Sequence, residues 1–265
     1  MQFFTAPFLL LWKQRVLLFQ TTRNDIRGRY AGSILGLAWL VLYPLFFLGA
    51  YAVVYLFVFK VRFALFNSNE YVALIFCGLV PFLGFTEALS TGVSSVTSNA
   101  NLIKNTLFAI EMVPAKAVLT SQCTQVVGLS MLLIVLVLLG KLTMWSLILP
   151  VVWFLQLSFT MGCIWVLSSL NVYLRDLQNV ISVLILILMM ISPIAYSADM
   201  VPPELQPFLR LNPLYYMIVS YQDCLMMGRF PRGEVFWVLC AMSLGSFWSG
   251  YWFFSRMKRV FADNV

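Results

Sequence analysis

The chain has 265 residues, 62% of them hydrophobic and only 10% charged. One soluble core cannot hide that much apolar surface, and uncharged apolar runs of about 18 residues or more recur, so the class is an all-α polytopic membrane protein. A net charge of +7 invites a nucleic-acid reading, but in such a class Lys and Arg mark one membrane side and no nucleic-acid partner is needed. The sequence has no His, which removes the commonest metal ligand and general base together. A transmembrane β-barrel would show alternating segments of about ten residues, whereas these runs are continuous.

Residues 1–33 read as a cytoplasmic interfacial helix and collar, with Phe4, Phe8, Leu11, Trp12, Leu18 and Phe19 toward lipid and Lys13 and Arg15 between them. Because basic residues follow the first apolar patch, the N-terminus does not read as a cleavable signal peptide. Six spans are expected, at 34–59, 71–97, 117–140, 144–170, 180–196 and 235–254. The second passes Pro81 and Gly84, contains Glu87, and turns polar beyond Leu89. A membrane-embedded carboxylate is a functional-site candidate, for the transport path or a subunit interface; the alternatives are bonding to Ser90, Thr91 or a neighbouring helix, or a protonated, silent Glu87. Between spans five and six, residues 197–234 are broken by Pro202, Pro203, Pro207 and Pro213 and hold a largely apolar 214–227 stretch, too short to cross and suited to a re-entrant segment. An even span number puts both termini on one side. That side carries 11 Lys and Arg against 6 opposite, so both termini are expected in the cytoplasm.

The five cysteines are far apart and form no C-x-x-C pair, which favours ordinary packing. No G-x-x-x-x-G-K-[ST] loop occurs, so the chain has no P-loop of its own. If ATP is used, a partner brings it.

The polar run Arg23, Asn24, Asp25, Arg27, Arg29 and Tyr30 leads directly into the first apolar stretch. The order Asp25, Ile26, Arg29, Tyr30, Ser33, Leu35, Gly36, Trp39 and Pro44 resembles the start of the first membrane helix in polysaccharide-exporting ABC-2 permeases, the group handling O-antigen, capsule and teichoic acid. Residues 99–114 resemble that family's coupling helix through Asn99 or Asn101 and Leu102, Ile103, Lys104, Phe108, Glu111 and Pro114. Ala109 stands where the family has a proline, which makes that turn less rigid. The resemblance implies ATPase coupling through Asn101, Lys104, Phe108, Glu111 and Pro114, with Arg175 and Asp176 as a second contact. Arg27, Arg29 and Tyr30 are placed to meet a diphosphate or, equally, anionic lipid headgroups. Trp39, Tyr43 and Glu87 would line a channel, with Tyr215, Tyr216 and Tyr221 forming an outer gate.

Taken together, the expectation is the permease of a bacterial inner-membrane ABC exporter, without cofactor or catalytic residue on this chain. Two copies would pair in a bed of membrane lipids. Two ATP-binding cassette subunits carrying ATP and Mg2+ would dock beneath, and the cargo would be a polyprenyl-diphosphate-linked polysaccharide. Rival readings are an ABC-2 permease for another lipid or a drug, and a membrane enzyme of glycolipid assembly. The enzyme would need converging acids or bases in the membrane, where only Glu87 qualifies.

Overall fold

The computed structural model describes residues 2–58, 67–99, 109–196, 201–202, 204–258 and 261. Among them every regular element is helical. α1 (Gln2–Lys13) and α2 (Arg15–Arg29) meet at Gln14. α3 (Trp39–Ala52) follows a 3-10 turn, Gly36–Ala38, and runs on as a π-helical turn, Val53–Val58. α4 (Ser68–Gly92) starts where the backbone N–H of Asn67 donates to the Glu70 carboxylate at 3.1 Å, and the short α5 (Ser95–Ser98) follows it. α6 (Met112–Leu138) leads through the 3-10 turn Met144–Ile148 into α7 (Leu149–Tyr173). The chain closes with α8 (Leu177–Ile191), α9 (Gln206–Arg210), α10 (Pro213–Leu225) and α11 (Gly233–Met257).

Among the described residues, four helical segments are long and apolar enough to cross a membrane: Gly36–Val58, Ser68–Gly92, Met112–Leu138 and Met144–Tyr173. The remaining two expected spans take different forms. α8 has 15 residues, about 22 Å at the helical rise, against a hydrocarbon core of about 30 Å. It stops because Ser192 precedes Pro193, whose ring disfavours a helical residue before it; Ser192 is accordingly extended, with ψ 143°. α11 has length enough, 25 residues, but Ser243, Gly245, Ser246, Ser249 and Gly250 dilute its apolar character.

Those small residues have a packing reason. A Cβ placed on Gly162 of α7 would sit 2.2 Å from the Ser246 carbonyl oxygen, and one on Gly250 would sit 2.3 Å from the Gly162 oxygen. The two backbones touch, which in lipid is the main way for helices to gain packing energy. α4 occupies the centre of the molecule. Leu74, Ile75, Cys77 and Leu79 all reach zero exposure, so α4 is surrounded on every side along residues 73–83, while Glu87, Ser90 and Thr91 further along it are not fully covered. The expected second span thus forms the core. α3 lies at the edge, with most side chains uncovered.

α1 and α2 lie against this bundle. Phe8 packs on Phe247 of α11 at 5.0 Å between ring centroids, while Leu18 and Thr22 of α2 are buried. Trp12, with the Arg15 guanidinium 4.6 Å above its ring, points outward with Phe19.

Candidate functional site

A cavity of about 510 Å³ opens where α2 turns into α3. The reversal is built from Gly32 and Gly36, whose φ of 79° and 49° lie in the left-handed region that residues with a Cβ avoid. Trp39 secures it, its indole N–H donating to the Ser33 hydroxyl at 3.2 Å. Arg29 and Tyr30 form one wall, Trp39 and Tyr43 another, and Glu87 with Thr86, Ser90 and Thr91 of α4 the third. Thr124 of α6 and Ser182 and Ile185 of α8 complete the lining.

Five predicted residues from two separate groups therefore share one space: Arg29 and Tyr30 from the diphosphate set, Trp39, Tyr43 and Glu87 from the channel set. Glu87 is held by an ion pair from the Arg29 guanidinium, with the two side chains 18% and 31% exposed. The acid thus has its cation on the collar, 58 residues away in sequence. The Thr91 hydroxyl bonds the Glu87 backbone carbonyl, at 2.9 Å, and not the carboxylate. Arg27 is exposed on α2 and does not line the cavity. Sequence reasoning missed the hydroxyl contribution of Thr124 and Ser182. On α4 the signal was present, since Glu87, Ser90 and Thr91 fall one helical turn apart. Chemically, the cavity offers a guanidinium able to exchange a carboxylate for another anion, beside aromatic faces and hydroxyl donors.

Asn101, Lys104 and Phe108 of the coupling set lie outside the described residues. Glu111 and Pro114 stand at the start of α6, where proline costs nothing because first-turn N–H groups lack helical partners. Glu111 is only 4% exposed. Its carboxylate pairs with Lys258 at the end of α11, and its backbone carbonyl accepts the Trp165 indole N–H at 3.1 Å. Residues 109–114 are thereby fastened to α7 and α11. The Lys258 contact had no sequence signal, being 147 residues distant. Arg175 and Asp176 are exposed in the turn between α7 and α8.

The three gate tyrosines separate. Tyr215 and Tyr216 stack edge to face at 5.2 Å near the start of α10, and the Tyr216 hydroxyl donates to the Arg210 carbonyl at 2.9 Å. Tyr221 lies fully buried instead. Its hydroxyl donates to Gln156 Oε1 at 2.7 Å, and the Gln156 and Gln125 side-chain amides exchange hydrogen bonds of 2.7 and 2.9 Å. Gln156 Nε2 also reaches the Pro81 carbonyl at 3.0 Å. This network ties α4, α6, α7 and α10 in the interior, so the structure makes Tyr221 an interhelical tie and does not place it beside Tyr215 and Tyr216.

A family model described as ABC-2 type transporter matches residues 16–226. The O-antigen export system permease protein RfbA of Myxococcus xanthus is 28% identical over 258 residues, covering 96% of this chain and 97% of that protein. Two proteins of the same description from Klebsiella pneumoniae are each 30% identical, over 214 and 216 residues, covering 80% of this chain and 81% of each relative.

Proposed function

The chain belongs to the ABC-2 type transporter family, and from that premise we propose that it is the membrane subunit of an exporter for an O-antigen-like, lipid-linked polysaccharide. Family membership implies ATP-binding cassette partners. The finer reading is two copies of this chain with two such subunits, in a bacterial inner membrane, both termini in the cytoplasm. ATP and Mg2+ are bound and used on the partners.

The observation that carries this reading is the cavity uniting Arg29, Tyr30, Trp39, Tyr43 and Glu87. A polyprenyl diphosphate needs cationic, bidentate donors at its charged end, and Arg29 supplies one on releasing Glu87. The sugars that follow need contact area without charge, which the rings of Trp39 and Tyr43 supply. The path continues between two copies, along the uncovered face of α3. Residues 99–114 receive the ATPase, and the fastening of Glu111 to Trp165 and Lys258 passes a displacement there into α7 and α11 as one body.

Complementation of a strain lacking this chain tests the reading, with surface polysaccharide quantified by a specific antibody. Wild type restores display, and Arg29→Glu, which sets two carboxylates together, abolishes it while the protein still inserts. Polysaccharide reaching the surface equally well without the chain overturns the assignment.

A further inference from the structure

α2 is fastened at two points. Asp25 and Arg29 lie one turn apart on it and cross to different helices, Asp25 to Lys116 of α6 at 2.9 Å and Arg29 to Glu87 of α4. The Arg29 pair belongs to the cavity already described. The Asp25 pair borders a separate cavity of about 330 Å³, whose walls include Asn24, Asp25, Arg29, Ser95, Lys116 and Thr120. Arg29 and Thr91 line both spaces, so the two adjoin.

The groups in this second cavity are incompletely satisfied. The Lys116 side chain is 10% exposed, and Asp25 is the partner its ammonium has among the described residues. An ammonium carries three donors. Ser95, 4% exposed, has a buried hydroxyl with no hydrogen-bond partner among the described residues. Such groups cost free energy unless something in the cavity bonds them. The walls carry Arg29, already paired with Glu87 of the adjoining cavity, and Lys116, whose ammonium meets one carboxylate and keeps donors to spare. What completes them is an acceptor bearing negative charge.

We propose that this cavity binds the phosphate end of an anionic lipid. Lys116 is its charged ligand and the Ser95 hydroxyl a second donor, with Asp25 yielding Lys116 as the phosphate arrives. The phosphate has two sources: the polyprenyl diphosphate of the cargo, which rests on the exporter reading above, and the headgroup of a phospholipid such as phosphatidylglycerol.

The test is native mass spectrometry of the full-length chain in detergent, titrated separately with a polyprenyl diphosphate and with phosphatidylglycerol. Lys116→Gln weakens binding about tenfold and Ser95→Ala about threefold, the losses expected for a charged and a neutral donor. Lys116→Arg binds nearly as wild type does, and so does Arg256→Gln, remote from both cavities. Asp25→Asn strengthens binding several-fold, because the carboxylate no longer competes; a purely structural strap predicts no such gain. Should Lys116→Gln not fold, Lys116→Arg and Asp25→Asn still decide the matter. Wild-type affinity in both Lys116→Gln and Ser95→Ala, or weaker binding in Asp25→Asn, overturns the site. Lys116-dependent binding of phosphatidylglycerol alone keeps the site and removes the cargo reading. Lys116-independent binding of the polyprenyl diphosphate, with surface display still requiring the chain, does the reverse.

Discussion

α3 and α4 are neighbours in sequence, and both segments are apolar enough to span a bilayer, yet the bundle treats them oppositely. Of the most apolar stretch in Ser68–Gly92, 89% of positions are buried; in Gly36–Val58 the share is 6%. The difference lies in what each surface can meet. Along α4, glycines let neighbours approach to backbone distance, as where the Gln125 side chain fills the space beside Gly84. α3 and the π-helical turn that extends it present large side chains, Phe46, Val53, Phe57 and Val58, that stay more than half exposed among the described residues. In lipid an apolar side chain gains little from burial as such, so close fit decides which helix goes inside. The helix left outside is free to face lipid or a second copy.

The comparison predicts unequal responses to truncation. Leu79→Ala in α4 removes a fully buried side chain and should cost about 2–5 kcal/mol, read as a fall in thermal unfolding temperature in detergent. A cost near zero would mean that α4 is not the core. Next is Gln156→Leu, which strips partners from Gln125, Tyr221 and the Pro81 carbonyl and should cost about 1–3 kcal/mol. Tyr221→Phe, which loses the bond donated to Gln156 and the longer one accepted from Gln125 but leaves the amide pair intact, should fall below it, and a reversed order would contradict the network.

Where α2 meets α4, a double-mutant cycle over Arg29→Gln and Glu87→Gln should give a coupling of about 1 kcal/mol, given the partial exposure of both side chains. Additive effects would show the pair to be incidental. The smallest effect belongs to Phe57→Ala on the π-helical turn that extends α3, within about 0.5 kcal/mol for the isolated chain because the ring is 71% exposed. In the paired form proposed above, the same change should weaken self-association, measured by dilution-dependent crosslinking. Unchanged pairing would assign that face of α3 to lipid.

The amino-acid sequence by itself determined the helical membrane class, the family, and the stretches where charge and polarity collect: the collar, the inner half of the second span, and the segment before α6. These are local properties of composition and order, and hydropathy reads them well because it measures transfer out of water. It is blind to which apolar surfaces fit one another. Only the tertiary structure decided that α4 is the core and α3 the rim. It also shortened the fifth expected span to a 15-residue helix. It brought Glu87 to Arg29 and Glu111 to Lys258 across 58 and 147 residues, and set Tyr221 among buried amides. Each of those outcomes depends on shape and on where distant polar groups find partners. Neither is written in any single window of the chain.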